Sequence, residues 1–355
     1  MDHTPITLIR WMTLMLISFL LLAACGQATP KATGPLVVEE ENAAPAEATP
    51  APDEQADSAE DVAEQSAEET PTIALVMKTL TNPFFVEMEK GARKAEQELG
   101  INLLVRTGAQ ETSIEQQISI IKELIAEQVD AIVIAPADSK ELIPVLKEAQ
   151  DAGIVIVNVD NRLDPEISES IGLVDVPFIS VDNEQGAYLS ANYVSQQVTE
   201  PTEAILLEGI RTAGNAEDRK NGALRAFEEN DNITVVAMET AHWKIDEGYE
   251  VTTELFKKHP DVKVVFCAND MMAFGTLRYL EEQDKTDVLV AAYDALEEAR
   301  TAIRDGTLQA TIDQQAALQA ETGVEYAVRA LQGEELPLET IVDVLLVTKD
   351  NVETM

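Results

Sequence analysis

Apolar positions follow two alternating rhythms from Thr72 onward. "TIALVMK" (72–78), "NLLVR", "AIVIA" and "IVIVNVD" are nearly continuous apolar runs, the pattern of strands buried on both faces. Between them, "FFVEMEKGARKAEQELG", "IEQQISIIKELIAEQ" and "ELIPVLKEAQDAG" repeat apolar residues at helical spacing, which predicts amphipathic helices. A second series opens near Asn183 with the helix "EQGAYLSANYVSQQV". It continues through strands "EAILLEG", "ITVVAME", "VKVVFCA", "DVLVAAYD" and "QATIDQ", with helices between them. Strands alternating with helices imply parallel sheets covered on both faces. The predicted fold class is therefore α/β, with two doubly wound parallel-sheet lobes. A last long helix (315–332) and a strand near 343–348 come too late to extend either series and suggest crossings back between lobes.

The first 71 residues follow neither rhythm. Arg10 precedes the apolar run "WMTLMLISFLLLAA", which ends at Cys25. Fourteen residues rise only about 21 Å as a helix, short of a hydrocarbon core of about 30 Å. A basic residue, a short apolar stretch and small residues before a break predict a secretory signal over 1–24. "LAAC" resembles the lipobox of bacterial lipoproteins, which implies lipidation of Cys25 and a membrane anchor. From Gly26 to Pro71 the chain is rich in Ala, Pro and Glu, with 12 Asp or Glu against Lys31 alone. Such a segment cannot bury enough surface to offset chain entropy, and like charges extend it. Residues 25–71 are expected to be a disordered acidic tether.

Composition narrows the rest. Residues 72–355 carry 23 Lys or Arg against 52 Asp or Glu, a net charge of −29. Phosphate backbones require clustered cations, so no nucleic-acid partner is expected. Cys267 is the only cysteine in this part and reads as a small buried hydrophobe. His242 and His259 show no zinc spacing, and neither a Gly-x-Ser-x-Gly elbow nor a phosphate loop is present. No metal, cofactor or catalytic residue is expected. Asp160 and Asp294 could form a glycosidase pair only if brought together on opposite sides of a sugar.

Open parallel sheets collect ligands beyond the carboxyl ends of their strands. Lys78 ends the first strand, and Asn82, Phe84 and Phe85 follow it on the connection to the next helix. Later strand ends deliver Asp160, Asn161 and Arg162; Ile210, Arg211 and, after a loop, Arg219; then His242 and Trp243. Asn269 and Asp270, Tyr293 and Asp294, and Asp313 and Gln314 complete the set. Carboxylates, amides and guanidinium groups match the paired hydroxyls of a sugar, and aromatic rings cover its C–H faces. Each residue also has a plainer reading. Asp270 and Asp294 could be helix caps, Tyr293 lobe packing, Lys78 a solvated strand end, and Arg219 a partner of Glu217 or Asp218. Recurrence at one end of both sheets favours the site.

"TIALVMKTLTNPFF", "VNVDNR", "DRKNGALRAF", "FCANDMMAFG", "YDALEEA" and "LQATIDQ" resemble, in order and spacing, signatures of the type I periplasmic binding proteins of bacterial ABC sugar importers. The resemblance spans Thr72–Asn351. It implies two lobes joined by a three-strand hinge: 72–181 plus 315–343, and 182–314 plus 344–355. The implied crossings lie near Val181–Asp182, Gln314–Gln315 and Asp343–Val344. It further implies sugar contacts at Asn82, Phe84, Phe85, Asp160, Arg219, Trp243, Asn269, Asp294 and Gln314, with Lys78, Asn161 and Arg162 beside them. Tyr293, Ile210 and Arg211 are further candidates.

Lys78, Trp243 and "GNAEDRKNGA" resemble the D-allose binders more than the ribose binders. Phe85, Tyr293, Arg211 and Thr212 depart from the allose pattern. The implied protein is an extracytoplasmic, membrane-anchored monomer that hands an aldohexose such as D-allose to an ABC permease and its ATPases. A ribose, pentose or polyol ligand is the alternative, as is a sugar or quorum-signal receptor component docking on a chemoreceptor. A sugar-sensing transcription regulator would carry an N-terminal helix-turn-helix where this chain has its lipobox and tether.

Overall fold

A computed structural model describes residues 70–355. The expected signal (1–24), Cys25 and nearly all of the expected tether lie outside the described residues.

The first series folds as β1 (Thr72–Met77), α1 (Pro83–Leu99), β2 (Asn102–Thr107), α2 (Ile114–Glu127), β3 (Ala131–Ile134), α3 (Ile143–Asp151), β4 (Val155–Val159), α4 (Pro165–Ile171) and β5 (Phe178–Val181). The second comprises α5 (Asn183–Ser195), β6 (Thr202–Glu208), α6 (Gly214–Glu228), β7 (Ile233–Thr240), α7 (Ile245–Lys258), β8 (Val262–Cys267), α8 (Asp270–Glu282), β9 (Leu289–Ala291), α9 (Glu297–Asp305) and β10 (Ala310–Asp313). The chain ends with α10 (Ala316–Leu331), β11 (Glu339–Val342) and β12 (Leu345–Thr348). Two six-stranded sheets result, ordered β11-β5-β4-β3-β1-β2 and β12-β10-β9-β8-β6-β7. Every pairing is parallel except β10 with β12. The fold class is the one the sequence rhythm implies: two doubly wound α/β lobes.

Two details differ from the sequence expectation. The pair α4 and β5 has no counterpart in it, because "FISV" is too short to stand out as an apolar run. The expected strand near 343–348 is β12, and a further strand that the sequence reading did not contain, β11, precedes it in the other sheet. β11 pairs with β5 and β12 with β10, and Asp343 and Val344 carry the chain between lobes. The chain also passes between lobes at Asp182, since β5 lies in the first sheet while α5 packs on α6 and β10. It returns after β10, because α10 packs on α1 and β4.

Helix ends are set locally. Asn82 caps α1 by accepting from the Phe84 N–H at 3.0 Å, with Pro83 preset for the first turn. Gly100, at φ 65°, ends that helix in the left-handed region. Gly91 lets α1 lie directly on α10, since a Cβ there would stand 1.9 Å from the Ala317 carbonyl oxygen. These contacts fix where α1 begins, and with it one wall of the interlobe cleft.

Candidate functional site

The carboxyl ends of both sheets face one cavity. Lys78, Asn82, Phe84, Phe85, Asp160, Arg219, Trp243, Asn269, Asp294 and Gln314 line it, together with Glu111 and Asn215.

On the first lobe, Lys78 follows β1 and Asp160 follows β4. Both are buried, and Lys78 Nζ donates to Asp160 Oδ2 at 2.8 Å. Asp160 holds φ at 63°, an uncommon conformation for a residue with a Cβ. Its backbone is pinned by Asp160 N–H to Ile179 O and by Ser180 Oγ–H to Asp160 O. Backbone strain of this kind persists where surrounding contacts over-determine it, often at ligand sites. Asn82 Nδ2 donates to Glu111 Oε1 at 2.8 Å. Phe84 and Phe85 stand edge to face, ring centroids 5.0 Å apart. They belong to the first turn of α1 rather than to a loop, and both are buried. One helix turn therefore serves as core and as cavity wall.

On the second lobe, Arg219 projects from α6. Its Nε donates to Asn183 Oδ1, Nη1 to Ala268 O and Asp294 Oδ1, and Nη2 to Gln314 Oε1, at 2.8 to 3.4 Å. The guanidinium lies 3.8 Å from the Tyr293 ring centroid, a cation–π stack. Gln314 Nε2 donates to Asp294 Oδ1 at 2.7 Å. Asn269 caps α8 by accepting from the Met272 N–H at 3.0 Å. Trp243 and Asp294 have φ of 66° and 118°, so this wall too is built on strained backbone. The indole needs Gly209 beneath it, where a Cβ would stand 2.0 Å from the ring. Trp243 Nε1 is buried and meets no protein acceptor.

Burial dominates the electrostatics. It pushes Asp294 up to about 7 against the opposing pull of Arg219, and it raises Glu111 against the pull of Lys78. Asp270, behind the cavity, is raised by burial and by the charge of Asp294.

Five sequence candidates do not reach the cavity. Asn161 turns away from it: Oδ1 accepts from Ser139 Oγ and Asn215 N, and Nδ2 donates to Pro136 O. Arg162 is half-buried outside the cavity, pairs with Glu339 and covers the Phe178 ring at 4.2 Å. Arg211 is exposed and pairs with Glu208, the last residue of β6, and Glu239, next to last in β7. Ile210 is buried among the apolar residues of the core. Tyr293 lies behind Arg219 and supports it. Conversely, Glu111 and Asn215 line the cavity without being sequence candidates. Glu111 follows β2, and the same strand-end rule that points to Asp160 could have found it. Asn215 begins α6, inside the "GNAEDRKNGA" motif.

Among the described residues no group of three or more His, Cys, Asp or Glu could hold a metal ion. No helix among them is long and apolar enough to cross a membrane.

The family model described as "periplasmic binding protein domain" matches residues 73–335. The D-ribose/D-allose-binding protein of Pseudomonas aeruginosa is 39% identical over 269 residues, covering 75% of this chain and 84% of its own length. The D-allose-binding periplasmic protein of Escherichia coli K12 is 32% identical over 284 residues, covering 78% and 91%. An ABC transporter periplasmic solute binding protein from Actinobacillus succinogenes 130z, solved with bound D-allose, aligns with a TM-score of 0.77 at 35% identity. That alignment covers 81% of this chain and 100% of the other.

Proposed function

This chain belongs to the periplasmic binding protein family, and on that premise we propose that it captures an aldohexose, D-allose favoured, between its lobes and presents it to an ABC importer. The family binds solutes without turning them over, and the chain is the extracytoplasmic solute-binding component of a monosaccharide importer. The single observation that carries the ligand reading is the composition of the cavity. Two carboxylates, two cationic groups, four amides and three aromatic rings converge on it from both sheets, with Glu111 beside them.

D-allose is favoured because relatives named for it are among the most similar, and because Lys78 and Trp243 line the cavity. Tyr293, which departs from the allose pattern, stands behind Arg219 and out of the ligand's reach. Phe85 is the departure that touches the cavity. Sugar contacts are assigned to Lys78, Asn82, Phe84, Phe85, Asp160, Arg219, Trp243, Asn269, Asp294 and Gln314. Groups from both lobes reach a ligand together only when the lobes are closed, so binding draws the population toward closure. The closed face then docks on the permease. Anchoring through lipidated Cys25 is part of the same proposal and rests on "LAAC" and the acidic stretch that follows it.

A thermal-shift screen against D-allose, D-ribose, D-galactose, D-xylose and myo-inositol tests the reading. A ligand at about a thousand times its Kd stabilises by about 4 kcal/mol, several degrees in Tm. D-allose is expected to give the largest shift. A larger shift with D-ribose would move the ligand to the pentoses, and no shift with any of the five would sink the monosaccharide reading.

A further inference from the structure

Asn215 is the second residue of α6 and belongs to the second lobe, yet its bonds go to the first. Its backbone N–H donates to Asn161 Oδ1, and its Nδ2 donates to Asp160 Oδ1, each at 3.3 Å. The start of α6 is held against the first lobe independently. Gly214 N–H donates to Ser139 Oγ at 3.0 Å, and Ser139 N–H donates to Thr212 O at 3.2 Å.

The neighbour decides how the amide must face. Asp160 already accepts from Lys78 through its other oxygen, and a carboxylate in such a pair can only accept. Turning the Asn215 amide over would set oxygen against oxygen, so the NH₂ faces Asp160 and the carbonyl faces away. That carbonyl oxygen, Oδ1, is buried and has no donor from the protein, although Asn215 is only 4% exposed and lines the cavity. Buried acceptors in native proteins nearly always have a partner. The missing donor has to come from the cavity that Asn215 lines.

Resting on the reading that the cavity takes a monosaccharide, we infer that Asn215 Oδ1 accepts a hydrogen bond from one sugar hydroxyl while Nδ2 stays on Asp160. Asn215 is then a specificity residue assembled only in the closed protein. The same amide ties the two lobes together and reads the ligand. An epimer that turns this hydroxyl away leaves Oδ1 buried and unpaired, and a site built around a hydrogen bond rejects such analogues most strongly.

The test measures Kd by calorimetry for wild type, Asn215→Ala and Ser139→Ala, using the best sugar of the screen and its monodeoxy analogues. Wild type is expected to lose about 10-fold or more for each deoxy position that faces a protein partner. In Asn215→Ala the parent sugar weakens by a similar factor, and for one deoxy position the further penalty disappears. Ser139→Ala, which removes the lobe-to-lobe bond from Gly214 N–H and the bond from Ser139 Oγ to Asn161 Oδ1 but no group that lines the cavity, is expected to weaken all the sugars by one common factor. Thermal melts establish that both variants fold, and Asn215→Ser provides a second truncation should Asn215→Ala not. If every deoxy penalty persists unchanged in the truncated protein, Asn215 does not touch the sugar and the assignment is overturned. A wild-type protein that binds the parent sugar makes that outcome specific to Asn215. One that binds no monosaccharide overturns the functional reading and this assignment together.

Discussion

The two walls of the cavity solve one problem in different ways. On the first lobe, the side-chain partnerships are few and separate: Lys78 with Asp160, and Asn82 with Glu111. The Asp160 oxygens accept one donor each, from Lys78 and Asn215, and keep lone pairs to spare for hydroxyls. On the second lobe, Arg219 is the centre of a shared network. It bonds to Asn183, Ala268, Asp294 and Gln314, and lies on Tyr293. The guanidinium is immobilised before any ligand arrives, so little side-chain entropy remains to be lost on binding. The first wall keeps capacity in reserve, whereas the second is assembled in advance.

Substituting each wall's cation should expose that difference most sharply. Arg219→Met leaves the buried Asp294 carboxyl with Gln314 Nε2 as its remaining donor, leaves the Asn183 and Gln314 side-chain carbonyls without the donor Arg219 gives them, and removes the ring stack. Breaking a buried pair from one side costs about 3–5 kcal/mol, so the variant is expected to lose both stability in urea and sugar binding. Lys78→Met strands one carboxylate that still has Asn215 as donor. Its stability loss should be the smaller of the two, with most of its effect on affinity. Equal losses in urea would mean that Arg219 is no more central to its wall than Lys78.

A pH titration asks the next question, with a smaller effect. Asp294 is raised to about 7 in the folded protein, above its ordinary carboxylate value of 3.8. Between those values the folded state binds more protons than the unfolded state, so stability of the unliganded protein falls as pH rises through that window. Sugar affinity should move the opposite way. A hydroxyl donates best to the ionised carboxylate, so affinity rises towards pH 8, by at most about tenfold per unit below the pKa. Arg219 and Gln314 face this carboxyl, as do the more distant Asp160, Glu111 and Asp270. Asp294→Asn is expected to flatten the affinity profile, measured by calorimetry from pH 5 to 8. An unchanged profile in that variant would assign the titration to Glu111 or Asp270, the other carboxyls that burial raises.

Most of this site is legible in the sequence because strand ends are legible. Buried parallel strands leave continuous apolar runs, and the residue after each run is where a ligand can sit. That logic finds Asp160, Trp243, Asn269, Asp294 and Gln314. It fails where chain direction matters more than sequence position. Asp160, Asn161 and Arg162 leave β4 in quick succession, but Asn158 Nδ2, from within the strand, bonds the Asn161 carbonyl and tightens the turn. The chain then directs Asp160 inward and Arg162 outward. No periodicity encodes that. Glu111 is hidden for a different reason: it stands four residues beyond the end of β2, in "TGAQE", with no aromatic beside it to mark the strand end. The short β5 is hidden because four buried residues between Pro177 and Asp182 carry too little pattern to distinguish a strand from a loop.

Arg162 offers the finest test of where the site ends. It lies two residues beyond Asp160 and shares a groove with Asp218 and Glu184 of the other lobe. Its guanidinium pairs with Glu339 and stacks on Phe178, both in its own lobe. A pair of this kind, between a half-buried Arg162 and an exposed Glu339, contributes little, because solvent screens it and two long side chains must be ordered to make it. Arg162→Ala is therefore expected to change stability by no more than about 0.5 kcal/mol and sugar affinity by less than about twofold. Arg211→Ala, at the rim of the second lobe, should behave the same way. A tenfold loss of affinity in Arg162→Ala would extend the binding surface past Asp160 into the groove. The contrast between an assembled second wall and a sparsely bonded first wall would then have to include a cation the first wall holds in reserve.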